Sequence, residues 1–203
     1  MRANPEIALL CDDMCGVIDL LTGVFLDATS GMERLVLDLR LERDELAAQI
    51  RAINSDAPPA DVDPPVTYRG IAEGSEGPLH FTSTSEYIER NSVGGHNWFL
   101  LAHLCLVSIY QYWDDQYRPR IAAAQNRPRD SVQLQIMGEL RHLRNSILHA
   151  GGKAVPQLAR SELLPRYEAG AAIAIDPQTF LDITFALKRH LREYAGASPG
   201  HAA

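Results

Sequence analysis

The sequence predicts a mainly α-helical protein. Apolar residues recur at intervals of three and four in several long segments, and this spacing places them on one face of a helix. Glycine, proline and short polar runs separate these segments, and only one stretch has the composition of a β-hairpin. With 46% hydrophobic and 22% charged residues, the 203-residue chain can bury one sizeable core. We therefore expect a single helical domain over residues 1–203.

Two helices are expected in residues 1–53. Asn4-Pro5 is a typical helix start, and apolar residues at helical spacing continue to about Ala28. Thr29-Ser30-Gly31 is expected to break the helix, and the segment 32–53 has leucines on one side and charged residues on the other. The two helices are predicted to pair as an N-terminal hairpin.

The segment 54–95 is predicted to be an insertion. It begins with a proline-rich connection over 54–65, which favours a loop or linker. Residues 66–71 and 79–84 are rich in β-forming residues and flank a glycine-rich turn, so they could form a short β-hairpin. One helical turn is expected over 85–90.

Helices are expected through most of residues 96–195. A long helix over 96–124 should kink or end at Arg118-Pro119. The next helix should be capped by Asp130 or Ser131 and end at Gly151-Gly152. A short helix over 161–168 and a final helix beginning at Asp176-Pro177 complete the prediction. The residues after 195 are expected to form a flexible tail.

The helix before Gly151 has two distinct faces. Apolar residues step by four, three and four along one face, namely Ile136, Leu140, Leu143 and Ile147. At about 100° per residue, a second set falls on roughly the opposite half: Arg141, Arg144, Asn145 and His149. Packing of the core does not require these four polar residues. We therefore interpret them as the candidate site.

These polar residue types suit phosphoryl transfer without a metal. Histidine titrates near neutrality and can move a proton, while guanidinium binds phosphate oxygens and stabilises developing charge. Asn145 can hold the imidazole or the substrate through its amide. A structural alternative stays open, because Arg and His near a helix C-terminus interact favourably with the helix dipole alone.

The run Arg144-Asn145-Ser146-Ile147-Leu148-His149 resembles the Arg, polar residue, three spacers, His signature of HEPN domains. These are small helical proteins, and many of them are ribonucleases. The preceding segment 109–122, which contains Tyr112, Trp113, Asp114 and Arg118, is similar to the corresponding helix of bacterial HEPN-like proteins. The resemblance covers about residues 97–195 and implies a HEPN-like helical bundle.

The resemblance also implies a function. HEPN domains usually form homodimers in which two motif helices face each other and cut RNA, without a metal or other cofactor, by attack of the ribose 2′-hydroxyl. Arg144 would bind the scissile phosphate, Asn145 would position groups, and His149 would act as acid or base. A toxin or antiviral effector, held in check by an antitoxin or another regulatory protein, is the typical role. The alternative is a non-catalytic HEPN-like interaction subunit.

The charge pattern bears on RNA binding in two ways. A net charge of −7 opposes a nucleic-acid binder. The segment 116–149, however, contains six arginines and only two acidic residues. We expect Arg118, Arg120 and Arg141 of this run to bind substrate. Asp114 and Asp115 could orient an arginine of the motif helix or could be a solvated acidic pair; both interpretations stay open.

Other site types have little support in the sequence. Cys11 and Cys15 lie one helical turn apart, but no second pair completes a metal site, so they and Cys105 are interpreted as buried apolar residues. No Walker or Rossmann glycine pattern occurs. No run reaches the length of a membrane span, and the N-terminus lacks the pattern of a signal peptide, so a cytoplasmic protein is expected.

Overall fold

The computed structural model describes residues 4–53, 62–69 and 78–196. The helices are α1 (Pro5–Ile53), α2 (Thr84–Asn91), α3 (His96–Tyr112), α4 (Arg118–Ala124), α5 (Gln135–His149) and α6 (Pro177–Gly196). Strands β1 (Pro65–Arg69) and β2 (Pro78–Ser83) form one antiparallel pair. The prediction of a mainly α-helical fold is confirmed. The predicted linker and tail lie largely outside the described residues.

The chain divides into two compact units. The first contains Met1–Leu26 and Phe99–Ala203, and the second contains Asp27–Trp98. Each unit has its own buried apolar cluster. The expectation of a single domain stays a prediction.

The N-terminal hairpin prediction is wrong, because α1 is one uninterrupted helix. Its start agrees with the sequence: Asn4 Oδ1 accepts the Glu6 amide at 3.0 Å, and Pro5 follows. Thr29-Ser30-Gly31 stays helical, with Thr29 only 4% exposed. A single glycine in a helix costs about 1 kcal/mol, which the burial of neighbouring side chains readily offsets.

The core of the first unit contains buried residues from α1, α3, α4, α5 and α6. Ile7, Met14 and Ile18 of α1 are buried in the same cluster as the inner faces of α3, α5 and α6. Phe25 of α1 contacts Phe180 of α6 with ring centroids 4.2 Å apart. The buried face of α6 includes Phe180, Ile183, Leu187 and Leu191. Asp176 caps this helix by accepting the Thr179 amide at 2.7 Å, as its position before Pro177 predicts.

A π-helical turn, Trp113–Tyr117, connects α3 to α4 where the sequence predicts a kink or an end. Pro119 has no amide hydrogen to give to a carbonyl one turn back. The chain stays helical because the Arg118 amide bonds the Trp113 carbonyl, five residues back. This arrangement keeps Trp113 and Tyr117 both buried.

The second unit contains the predicted β-hairpin. In its register Val66 lies opposite Thr82 and Pro65 opposite Ser83. Helix α2 is two turns long and begins with a capping box: Ser83 Oγ accepts the Glu86 amide at 3.1 Å, and Glu86 accepts the Ser83 amide at 3.3 Å. Tyr87 and Ile88 of α2 bury against Val36 of α1.

The cysteines are buried, as predicted, and make no disulfide among the described residues. Burial raises the pKa of Cys11 to about 12, and Cys15 adds to the shift. At pH 8 the fraction of such a thiol that is ionised to thiolate is about a thousandfold smaller than for an ordinary cysteine. We expect a disulfide reagent at pH 8 to modify the three thiols slowly in the native protein and at once in guanidinium chloride. Immediate modification of the native protein would contradict this.

No single helix within the described ranges is long and apolar enough to cross a membrane. Helix α2 and the segment His96–Ala124, which are bent by 46° relative to each other, together have the length and composition of a possible membrane span. Only length and composition enter this comparison.

Candidate functional site

Helix α5 presents the two faces that the sequence predicts. Ile136, Leu140 and Leu143 are at most 1% exposed and belong to the core of the first unit. Arg141 and His149 are exposed on the other side, and Arg144 and Asn145 are half-buried. The candidate residues are therefore accessible from solvent along about two turns of one helix.

The start of α5 differs from the prediction. Asp130 and Ser131 lie in a separate 3₁₀ turn, Arg129–Ser131, and α5 begins four residues later without a side-chain cap. The reason is that both side chains are engaged locally. Asp130 accepts from Arg118 at 3.5 Å, and Ser131 Oγ donates to the Pro128 carbonyl at 2.7 Å. Val132, only 2% exposed, then takes an extended conformation as it enters the core.

The end of α5 agrees with the prediction and is firmly held. Gly151 and Gly152 take positive φ angles of 60° and 77°, which favour glycine. The Gly152 amide donates to the Ser146 carbonyl at 3.0 Å, and the buried Ser146 hydroxyl accepts the Val155 amide at 3.0 Å. His149 occupies the last helical residue before this turn.

Arg144 joins the other two candidate catalytic residues. Its Nη1 donates to Asn145 Oδ1 at 3.1 Å and lies 3.2 Å from His149 Nε2. Because a guanidinium can only donate, the second contact requires an unprotonated Nε2. In this arrangement the lone pair of His149 Nε2 is occupied by the Arg144 N–H. The remaining terminal nitrogen of Arg144, Nη2, has no hydrogen bond within the described part of the chain.

Asp114 and Asp115 do not pair with the motif helix. Asp114 instead bonds Arg118 at 3.1 Å and Arg129 at 2.8 Å. Burial acts to raise the pKa of Asp114, but the hydrogen bonds and charges of the two arginines outweigh it and hold the pKa below its ordinary value. Asp115 is exposed and accepts from Gln111. The expectation that either carboxylate orients a motif arginine is therefore wrong for the described contacts.

Two of the three predicted substrate-binding arginines share a cavity. Arg118 and Arg141 line a space of about 460 Å³, which we call the α5 cavity. The other lining residues come from α3, the π-helical turn, the segment 132–134 and the beginning of α5: Tyr110, Trp113, Val132, Gln133, Leu134, Gln135, Met137 and Gly138. Arg120 is not among them; its guanidinium lies 5.8 Å from the Tyr117 ring centroid.

The sequence interpretation missed the roles of Tyr110 and Glu139. Tyr110 lies at the α5 cavity, where burial and the charge of Asp114 raise its pKa while Arg141, Arg118 and Arg144 oppose the shift. Glu139 is buried and accepts the backbone amides of residues 162–164. The predicted helix over 161–168 is absent; a 3₁₀ turn, Pro156–Arg160, precedes this loop. No local pattern signals either role, since each depends on distant residues.

His103 of α3 is half-buried, and its Nε2 lies 3.1 Å from the Ile173 carbonyl oxygen, as expected for a hydrogen-bonded core histidine. Among the described residues, no three His, Cys, Asp or Glu side chains cluster closely enough to hold a metal ion.

Comparison of the chain with protein-family models, with curated proteins and with solved structures found no match, so the HEPN resemblance stays a prediction that rests on the residues quoted for it.

Proposed function

We propose that the protein is a metal-independent endoribonuclease whose site is Arg144, Asn145 and His149. The observation that carries this proposal is the contact of one guanidinium with both the Asn145 amide and the His149 imidazole at an accessible helix end. A phosphate-binding cation and a proton acceptor thus lie within one hydrogen bond of each other. This is the pair that phosphodiester cleavage by an internal hydroxyl requires.

The reaction follows from the roles of these side chains. When Arg144 Nη1 turns from His149 Nε2 to the bound phosphate, Nε2 takes the proton from a ribose 2′-hydroxyl, and the oxygen attacks the adjacent phosphorus. The bond from phosphorus to the 5′-oxygen breaks, and that oxygen takes a proton. The products are a 2′,3′-cyclic phosphate and a 5′-hydroxyl. Arg144 Nη2 would bind a phosphate oxygen and stabilise the negative charge that builds up there.

A second acid is needed for the leaving oxygen, and a homodimer would supply it through a second His149 whose Nε2 carries a proton and is therefore not bound to Arg144. Exposed apolar residues near the site support such an interface. Leu100 and Leu104 of α3 are 45% and 55% exposed, and Leu148, next to His149, is 48% exposed. Helix α3 is joined to the end of α5 through Ile173, whose carbonyl contacts His103 and whose amide donates to the Gly152 carbonyl at 2.8 Å.

The same leucines favour a second candidate, a non-catalytic helical subunit that binds another protein. The two candidates differ in whether His149 performs chemistry. As a nuclease, the protein would serve as a growth-arresting toxin or an antiviral effector, controlled by an antitoxin or another regulatory protein.

Incubation of the purified protein with a mixed tRNA and mRNA pool in excess chelator tests the proposal. We expect cleavage that persists in chelator and leaves 2′,3′-cyclic phosphate and 5′-hydroxyl ends, identified by end-specific labelling. Cleavage that stops on chelation, or that leaves 5′-phosphates, would contradict the mechanism. Intact RNA would favour the interaction subunit.

A further inference from the structure

The α5 cavity has the size and lining of a ligand site. Its volume of about 460 Å³ lies within the roughly 300–1,000 Å³ typical of small-molecule pockets. Four of the lining residues are apolar: Trp113, Val132, Leu134 and Met137. Two are arginines, Arg118 and Arg141, and the guanidinium of Arg118 is already bound to Val132, Asp114 and Asp130. An occupant should therefore combine negative charge with a flat or apolar part.

Arg141 is available for such an occupant. Within the described chain it makes no hydrogen bond or ion pair. The acidic residues nearby are already engaged, since Asp114 pairs with Arg118 and Arg129, and Asp130 pairs with Arg118. Arg141 and Arg144 thus have no acidic partner among the described residues, and their charge can act on an incoming anion.

Tyr110 also lines the α5 cavity. Burial and the charge of Asp114 raise the pKa of its hydroxyl, while Arg141, Arg118 and Arg144 oppose the shift. The hydroxyl is protonated at neutral pH, as in any ordinary tyrosine. That hydroxyl has no recorded hydrogen bond among the described residues. A neutral phenol at this place donates a hydrogen bond to a phosphate oxygen without repelling it.

Other parts of the lining offer contacts to a base. The amide nitrogens of Gln133 and Gln135 are bound, to the Asp130 carbonyl at 3.2 Å and to Glu162 at 3.0 Å. Their amide oxygens have no recorded partner in the described structure and can accept from the N–H groups of a base. The first turn of α5, which also lines the cavity, has no side-chain cap.

The cavity lies one helical turn from the proposed site. Arg141 precedes Arg144 and Asn145 by three and four residues, which places these side chains roughly 5–6 Å apart at Cβ. An RNA strand bound at Arg144 therefore reaches the cavity with a neighbouring nucleotide.

From these observations we infer that the α5 cavity binds one nucleotide of single-stranded RNA beside the cleaved bond, with a phosphate held by Arg141 and Tyr110. The position beside a cleaved bond rests on the proposed function. The phosphate-binding part does not, because it follows from the cavity alone.

The test compares two matched arginine variants in a His149→Ala background, which prevents cleavage. Arg141→Gln changes the cavity, and Arg192→Gln removes an equal charge from the exposed side of α6, outside the cavity. Fluorescence anisotropy with a labelled mixed-sequence 12-nucleotide RNA is expected to show about tenfold weaker binding for Arg141→Gln and less than about twofold for Arg192→Gln. Tyr110→Phe, which removes one hydroxyl, should weaken binding about threefold. Thermal melting checks that each variant is folded.

Competition with inorganic phosphate and with a free mononucleotide distinguishes an RNA strand from a small ligand as the natural source of the phosphate. Equal losses for Arg141→Gln and Arg192→Gln would show unspecific attraction and would overturn the inference. If wild-type protein cuts RNA while these two variants bind alike, the cavity inference fails and the nuclease stands. If wild-type protein does not cut RNA but binding depends on Arg141, the nuclease fails and the cavity remains a phosphate site.

Discussion

Replacement of His149 by alanine is expected to lower RNA cleavage by about 10²–10⁴-fold, which is the usual contribution of a positioned acid or base. The side chain is exposed, and its one recorded contact is with Arg144 at 3.2 Å. Loss of the imidazole removes the proton acceptor and leaves the buried face of α5 unchanged. The melting temperature and the oligomeric state should therefore stay at their wild-type values.

His96→Ala is the matched control, because His96 is also an exposed histidine at a helix end and has no recorded side-chain contact in the described structure. It should cleave like wild type. Arg144→Lys adds a second check and should cleave RNA more slowly than wild type. Lysine keeps the charge but cannot bind phosphate with two parallel hydrogen bonds. Cleavage by His149→Ala at the wild-type rate would remove the imidazole from the mechanism. Unfolding of that variant would show that His149 is structural.

Replacement of Glu139 by alanine is expected to destabilise the protein by about 3–5 kcal/mol, the largest stability effect that we predict. The carboxylate is 8% exposed and accepts three backbone amides, from Glu162 at 3.0 Å, Leu163 at 3.0 Å and Leu164 at 2.8 Å. Without it, these amides lose their acceptor in a largely water-excluded place. Urea unfolding should show the loss as a lower midpoint.

Glu162→Ala is the control for Glu139. It removes a carboxylate from the same region, but Glu162 is exposed and, among the described residues, its side chain binds only Gln135. Its effect should stay within about 0.5 kcal/mol. The stability loss of Glu139→Gln should fall between those of the two alanine variants. Its amide oxygen can still accept from the loop, but its NH2 group replaces an acceptor and faces backbone N–H donors. Equal stability of Glu139→Ala and Glu162→Ala would show that the loop does not depend on this carboxylate.

Local sequence patterns determined much of the helical structure. Apolar residues at three- and four-residue spacing predicted the buried faces of α5 and α6, because a helix brings such positions to one side whatever surrounds it. Gly151-Gly152 predicted the end of α5, since positive φ angles favour glycine. The candidate triad was also accessible to sequence reasoning: Arg144, Asn145 and His149 are close in the chain, so one helix is enough to bring them together.

Long-range contacts decided the rest. Thr29-Ser30-Gly31 resembles a break, but burial of neighbouring side chains keeps α1 continuous. Asp114 could have faced the motif helix, and only the folded chain brings Arg129 to it.

The same holds for the surroundings of the candidate site. The sequence by itself determined that a polar face with Arg144 and His149 would lie opposite an apolar one, because both faces belong to a single helix. Only the tertiary structure decided that Glu139 holds a loop more than twenty residues away, and that Tyr110, Arg118 and Arg141 line one cavity. These arrangements depend on the packing of separate segments, and the spacing of residues along one segment carries no information about which distant segment will pack against it.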